Sequence, residues 1–259
     1  MSSPPRLDIF TLKERPELRA QIFSADFAAA VPEFMRHDPT ASLYYGRGYL
    51  DRYLDFVLGA VEPGQPDRPI ARGSSVPFAL NDGSDERFAL PDDGWDAVIR
   101  WAHDDWMKGR KPNAVSALDI TVLPAFRSRG VSQVMLNAMR DNARAHGFTD
   151  LYAPVRPSDK HLDPLAPFAE YVARKRPDGL PHDSWLRVHL RAGGQIIKVA
   201  PCSMVIAGNI AEWSDWTGMT FTASGITPVA GALSPIHVSL KQDHAVYVEP
   251  NVWVHHRLD

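Results

Sequence analysis

Two arginines and a glycine stand where one pattern of the chain gives way to another. In SALDITVLPAFRSRGVSQVMLNAMRDNARAHGF, residues 116–148, Leu118, Ile120 and Val122 alternate with Asp119 and Thr121, the period of a strand. From Val131 onward Val134, Met135, Leu136, Ala138, Met139, Ala143 and Ala145 fall at helical spacing, closed by His146-Gly147. The segment AFRSRGVSQ between them is a strand-to-helix turn with Gly130 at its tight position. Such a turn points free backbone N–H groups outward at the positive end of a helix, which makes an anion site. Arg127 and Arg129 add guanidinium charge, and a pyrophosphate is the guest that suits several N–H donors at once. Taken alone, the turn also reads as a solvated, arginine-rich loop.

Other groupings carry less chemistry. Cys202 is the one cysteine, so no intrachain disulfide forms and a reducing compartment is expected. It reads as a small apolar residue beside a buried strand rather than as a nucleophile. The run PSDKH crowds Ser158, Asp159, Lys160 and His161, but nucleophilic triads are spatial arrangements and local crowding does not make one. His255-His256 lacks the spacing of a metal site, and no metal is predicted. WSDW (Trp213, Trp216) and VEPNVWVHH (Glu249, Asn251, Trp253) bring aromatic and polar groups together near the C-terminus. They form either a wall for an acceptor or acyl chain, or core packing.

The elements that must position these residues belong to a soluble globular composition: 259 residues, 44% hydrophobic and 23% charged, net charge −3. No basic excess points to nucleic acid or a membrane surface. No apolar run approaches the ~20 residues that cross a bilayer, and the start MSSPPRLDIF lacks a secretion signal, so the expected location is cytoplasmic. Residues 14–36 predict a helix interrupted near Pro32; a strand from Leu54 to Ala60 pairs with IARGSSVPFAL; GWDAVIRWAHDDWMKGRKP is a helix stopped by Gly109 and Pro112. DLYAPVRP is a strand, residues 154–181 are proline-rich with a short helix in APFAEYVARK, and Asp183 or Ser184 caps a helix ended by Gly193 or Gly194. QIIKVA, SMVIAG, MTFTASG, IHVSLK and HAVYVEPNVWVHH predict further strands, giving a mixed α/β chain with helices early and strands late.

The pattern Arg127-x-x-Gly130-x-Ser132, after a strand ending V-x-P and before a long amphipathic helix, resembles the coenzyme A pyrophosphate loop of the GNAT N-acetyltransferase superfamily, Gln/Arg-x-x-Gly-x-Gly/Ala. Ser132 departs from the small final residue. RPIARGSSVPF resembles the family's second and third strands, and HLRAGGQII its later helix ending in Tyr-x-x-x-Gly-Phe. The resemblance implies one domain over 1–259: a GNAT-like central, mostly antiparallel sheet flanked by helices and splayed between the central strand and LYAPV. An insertion over about 156–182 and extra C-terminal strands over 203–256 would be added to it.

It further implies acetyl-CoA or another acyl-CoA as co-substrate and an amine of a small molecule as acceptor, with direct attack. The main chain of Arg127, Ser128, Arg129, Gly130, Val131, Ser132 and Gln133 would wrap the pyrophosphate. Ile120 and Val122 would line the pantetheine arm and thioester, and Ser184 would reach the arm or only cap its helix. Asp119 would serve as base; its alternative is a strand carboxylate paired with an arginine such as Arg100 or Arg110. The family's acidic tyrosine falls at His189 or Leu190, so His189 would take that role, with Tyr171 and Tyr152 as lesser candidates. Two other readings stay open: a thioester hydrolase, decarboxylase or carrier-protein acyltransferase on the same fold, and a non-catalytic module that binds a CoA ester. A homodimer is compatible with all of them.

Overall fold

The computed structural model describes residues 4–46, 48–81, 83 and 87–258. After strand β1 (Asp8–Thr11) the long helix expected over 14–36 is broken into a 3-10 turn at Pro16–Leu18, α1 (Arg19–Ile22), α2 (Ala25–Ala28) and a 3-10 segment Glu33–His37. Leu18, Ile22, Phe27 and Phe34 are all buried, but their spacing stretches along the chain and no single helix face could bury them. α3 (Ser42–Tyr45) follows, then 3-10 turns at Leu50–Arg52 and Leu54–Phe56, so β2 (Val57–Val61) starts three residues later than expected. β3 (Pro69–Phe78) and α4 (Gly94–Lys108) are as expected, with Gly109 at φ 64° ending the helix. Trp106 of α4 is exposed, with the Arg52 guanidinium stacked over its ring.

β4 (Ala114–Val122), α5 (Val131–Ala145) and β5 (Asp150–Val155) reproduce the strand–turn–helix–strand reading. Next come α6 (Phe168–Ala173), α7 (Ser184–Arg191), β6 (Gln195–Gly208), α8 (Ile210–Thr217), β7 (Gly225–Thr227), β8 (Ile236–Ser239) and β9 (His244–Arg257). QIIKVA and SMVIAG are one strand, β6, whose pairing slips between Ala200 and Met204, where Pro201 has no N–H to give. MTFTASG is not a strand; only Gly225–Thr227 pairs there. Cys202 is exposed rather than packed beside the strand. Among the described residues no helix is long and apolar enough to cross a membrane.

One sheet unites the strands in the order β1-β2-β3-β4-β5-β9-β8-β7, with β6 also on β9. Every pairing is antiparallel except β4 with β5. That parallel pair holds only at Val115/Leu151 and Ser116/Tyr152, after which the two strands part. β9 pairs with β6 over Ala245–His255 along one edge. β5 and β8 share its other edge, at Val252–Arg257 and His244–Val246, which leaves residues 247–251 of β9 without a strand there. The main core lies under β1–β5 with α4 and α5, and a second cluster around Phe34, Trp213 and Tyr247 fills the C-terminal end. The WSDW tryptophans belong to that second cluster: Trp213 is fully buried and donates Nε1 to Ala245 O, and Trp216 stacks on His37.

Candidate active site

The parting of β4 from β5 opens a cleft of about 1020 Å³. Two features of β4 turn its backbone into that cleft. Ser74 pairs with Asp119 and Ser75 with Ala117, so Leu118 is an extra, bulged residue. Beyond the bulge, Leu123 N donates to Ile70 O. The alternation of an antiparallel ladder then turns the main-chain groups of Val122 and Ile120 away from β3 and toward the gap beside β5. An extended arm lying in the gap would meet them as a substitute strand.

At one end of the cleft is the predicted turn. Gly130 (φ 82°) is the N-cap of α5 and Ser128 (φ 62°) is also left-handed, so the chain alternates hand as anion-binding backbone nests do. Residues 127–130 are exposed. Among the described residues no acceptor bonds the N–H groups of Ser128 through Gln133. Arg127, Ser128, Val131 and Ser132 border the cleft, while the side chains of Arg129 and Gln133 turn to Phe126 and Asn137. The expectation that the Arg127 side chain would meet phosphates is corrected: its Nε donates to Val122 O (3.1 Å), which also occupies one of the groups assigned to the pantetheine arm. The residues present fit an acyl-CoA: free amides for its diphosphate, and Ile120 with Val122 N–H for its arm. Ser184 borders the same cleft with its hydroxyl 2.7 Å from that of Ser158. It is the first residue of α7, and the cap is Asp183, whose Oδ1 accepts from Trp185 N and Leu186 N.

At the other end Asp119 faces the N-terminal segments. Its Oδ2 accepts from Tyr45 Oη (3.1 Å) and Arg72 NH2 (3.2 Å), and Oδ1 is buried with no partner among the described residues. The partner is thus Arg72, not Arg100 or Arg110, which pair with Asp93 and Asp96 and with Asp104 and Asp105. Burial first, and then the charge of Asp119, push the Tyr45 phenol well above its ordinary pKa, so it remains a donor. Trp95 of α4 also borders the cleft and donates Nε1 to Leu118 O (3.0 Å), fixing the bulge.

A second polar group lines the floor where β9 lacks a strand partner. Glu249 is fully buried; its Oε2 accepts from Arg156 Nε (3.0 Å) and Tyr247 Oη (2.7 Å), and Oε1 from Asn251 Nδ2 (3.2 Å). Asn251 is held in turn by Ser203 Oγ at 2.6 Å. Of the two positions the sequence leaves open, His189 of α7 borders the cleft and Leu190 does not. His189 Nδ1 lies 2.9 Å from His256 Nε2, leaving Nε2 for the cleft. Burial, and then His256, hold its pKa down at about 3. Tyr171 is corrected as a catalytic candidate: it is buried outside the cleft and donates its hydroxyl to Asp183 Oδ2 (3.0 Å), bracing the start of α7. Tyr152 stacks on His255. Among the described residues no group of three His, Cys, Asp or Glu side chains could hold a metal.

Tyr45, Arg72, Trp95 and Arg156 were not singled out from the sequence, because each lies on an element remote in the chain from its partner and belongs to no local motif.

No family model matches the chain. A curated relative does: the arginine N-acetyltransferase avaD of Aspergillus versicolor is 32% identical over 284 aligned positions, covering 99% of this chain and 96% of its own. Among solved structures, the loading GNATL domain of CurA from Lyngbya majuscula superposes with a TM-score of 0.54 at 14% identity, covering 98% of each chain. The GNAT-like decarboxylase GphF in complex with isobutyryl-CoA follows with a TM-score of 0.47 at 16% identity, over 98% of this chain and 100% of its own. With a splayed pair of central strands, a bulge beside a carboxylate, an amide-lined turn at the head of a helix and a full-length relative, the chain belongs to the GNAT superfamily of acyl-CoA-dependent N-acetyltransferases.

Proposed function

We propose that this chain moves an acetyl group from acetyl-CoA to an amine of arginine or of a small cationic amine like it, in the cytoplasm. The observation that carries the reading is Asp119: one oxygen is fixed by Tyr45 and Arg72, the other is buried without a partner, and the residue follows the bulge at the mouth of the splay. A buried acceptor left unpaired is costly, and a substrate N–H is one group that would satisfy it. That the relative is an arginine N-acetyltransferase supports the acceptor class, as do the two carboxylates, Asp119 and Glu249, that border the same cleft.

In this reading acetyl-CoA supplies a thioester carbonyl open to attack. The amides of Ser128 through Gln133 hold the diphosphate, and the Ile120 and Val122 N–H groups align the arm. Asp119 takes the proton that the attacking ammonium must lose, and His189 Nε2–H faces the sulfur that must gain one. The test is a turnover assay with acetyl-CoA and a panel of arginine, agmatine, ornithine and lysine. Arginine is expected to be turned over, and Asp119→Asn to lower kcat by about a hundredfold or more. Release of CoA at the same rate with and without an amine, or no turnover of any cationic amine, would overturn the reading.

A further inference from the structure

The floor of the cleft keeps a charged pair where an apolar pair would do. Glu249 of β9 is fully buried, and the side chain of Arg156, the residue just past β5, is 28% exposed. A buried ion pair is weak evidence for stability, because apolar residues of similar volume often hold a fold as well. Here the pair leaves a donor over. Arg156 commits Nε to Glu249 Oε2 (3.0 Å) and Nη2 to Gly231 O, with the Tyr247 hydroxyl beside it. Nη1 donates to nothing among the described residues and is not buried, and the side chain borders the cleft, so its free edge opens there.

That edge is held stiffly from behind. Tyr247 Oη and Asn251 Nδ2 donate to Glu249, and Tyr247 Oη in turn accepts from Leu233 N (2.9 Å). Asn251 accepts from Ser203 Oγ, which accepts from Trp95 N (2.9 Å) at the start of α4. Gly231 is wedged against the N-terminal segments: a Cβ on it would meet Pro32 Cγ at 2.8 Å. A guanidinium fixed along one edge is preorganised to meet a carboxylate with the other.

The same contacts say which anion it meets. Arg156 lies on the face of the sheet that carries α4 and the N-terminal segments, the face from which Tyr45 reaches Asp119. α5 lies on the other face: Gly73 pairs with Ile120, and a Cβ on Gly73 would meet Met139 Sδ at 2.9 Å. The amide turn at the head of α5 is the diphosphate site, so Arg156 serves a different anion. Arg36, Arg72, Arg127 and Arg156 border the cleft against the carboxylates Asp119 and Glu249, which leaves its lining with an excess of positive charge. Arg156 and Asp119 stand at similar distances past the last paired residues of the parallel strands, Tyr152 and Ser116, on opposite banks of the splay.

Resting on the reading of Asp119 as the group that receives the acceptor's amine, we propose that Arg156 is the carboxylate-binding residue of the acceptor site, so that the chain acetylates α-amino acids in preference to amines without a carboxylate. The α-amine and the carboxylate of arginine share one carbon. Asp119 reads the amine from the β4 bank and Arg156 Nη1 reads the carboxylate from the β5 bank. Agmatine keeps an amine and the guanidinium but lacks the carboxylate, and its binding leaves the Arg156 donor unmatched.

The test compares arginine with agmatine and with argininamide, whose carboxylate is replaced by a neutral amide. Each is measured by turnover with acetyl-CoA and by calorimetry on protein saturated with CoA. In the wild-type chain kcat/KM for arginine is expected to exceed that for either analogue by about ten- to a hundredfold, and binding to follow the same order. Arg156→Gln strands the Glu249 charge, so Arg156→Gln/Glu249→Gln is measured beside it, with melting curves for both. In each folded variant the preference for arginine over agmatine is expected to fall to about threefold or less, through a higher KM for arginine rather than a lower kcat. Should neither fold, the wild-type comparison alone decides. Equal kcat/KM for arginine and agmatine in the wild-type chain, or a preference that survives in the double variant, overturns the proposal and leaves the acetyltransferase reading in place. No turnover of any amine, with arginine still bound more tightly than agmatine and only while Arg156 is present, sinks that reading and keeps the carboxylate site. Absence of binding by all of them removes both.

Discussion

Asp119 was legible as a candidate because it alternates away from an apolar strand face beside a phosphate-type turn. Its setting was not. Tyr45 and Arg72 reach it from 74 and 47 positions away, and neither has a neighbour in sequence that marks it. The consequence is specific. Tyr45, kept protonated by burial and by Asp119, is a donor to a charged acceptor, an interaction worth about 1.5–3 kcal/mol. Tyr45→Phe is expected to lower kcat/KM for the amine by about ten- to a hundredfold. The affinity for acetyl-CoA measured by calorimetry is expected to stay unchanged, since the proposed reading puts Tyr45 at the acceptor end. Weakened acetyl-CoA binding with normal amine kinetics would show that the two ends have been reversed.

At the scale of elements, the turn between β4 and α5 was read correctly in its bounds, because a change of hydrophobic period locates a strand-to-helix junction without help from the rest of the chain. Its chemistry divided differently from expectation. The backbone amides remain free, while the Arg127 side chain folds back onto Val122 O and Ala30 O and braces the turn. Gly130 sits at φ 82°, where a side chain costs about 1–2 kcal/mol. Gly130→Ala is therefore expected to lower the melting temperature and still bind acetyl-CoA. Gly130→Glu adds the same strain plus a negative charge beside the amides, and calorimetry is expected to find binding lost. Equal binding by the two variants would place the diphosphate elsewhere.

Across the whole molecule, the N-terminal segments beside Asp119 are tied to the sheet by a carboxyl pair. Asp38 caps the 3-10 turn at Pro39–Ala41, and Asp96 of α4 accepts from Val205 N on β6. The two side chains hydrogen-bond each other, and each has an oxygen with no other partner. Burial raises both pKa values, that of Asp96 to about 8 with Asp38 as the next cause. Unfolded, both would ionise near 4. The stabilisation from holding this proton is complete below that value and is lost as pH rises through about 8. The buried histidines run the other way: their folded pKa values are depressed, so their contribution is present above about 6.5 and is lost only as pH falls. From pH 7 to 9 the acid pair therefore sets the slope. The melting temperature is expected to fall over that range, and Asp96→Asn to flatten the fall. An unchanged slope in the variant would show that the proton is not shared there.

What the sequence determined by itself was whatever a local period or a short motif encodes: the strand, turn and helix over 114–145, a capped helix beginning at Asp183 or Ser184, and the family to which the anion turn belongs. Breaks in the N-terminal helix and the merging of two strands into β6 escaped it, because burial against remote elements overrode local spacing. Only the tertiary structure decided what depends on contact between distant segments. It put His189 rather than Leu190 at the cleft, gave Asp119 its arginine and tyrosine, set Tyr171 apart from the cleft as a brace, and brought His256 from the last strand to the helix that precedes β6. Side-chain pairs across a sheet are selected by register and packing, and those are properties of the folded chain rather than of any stretch of it.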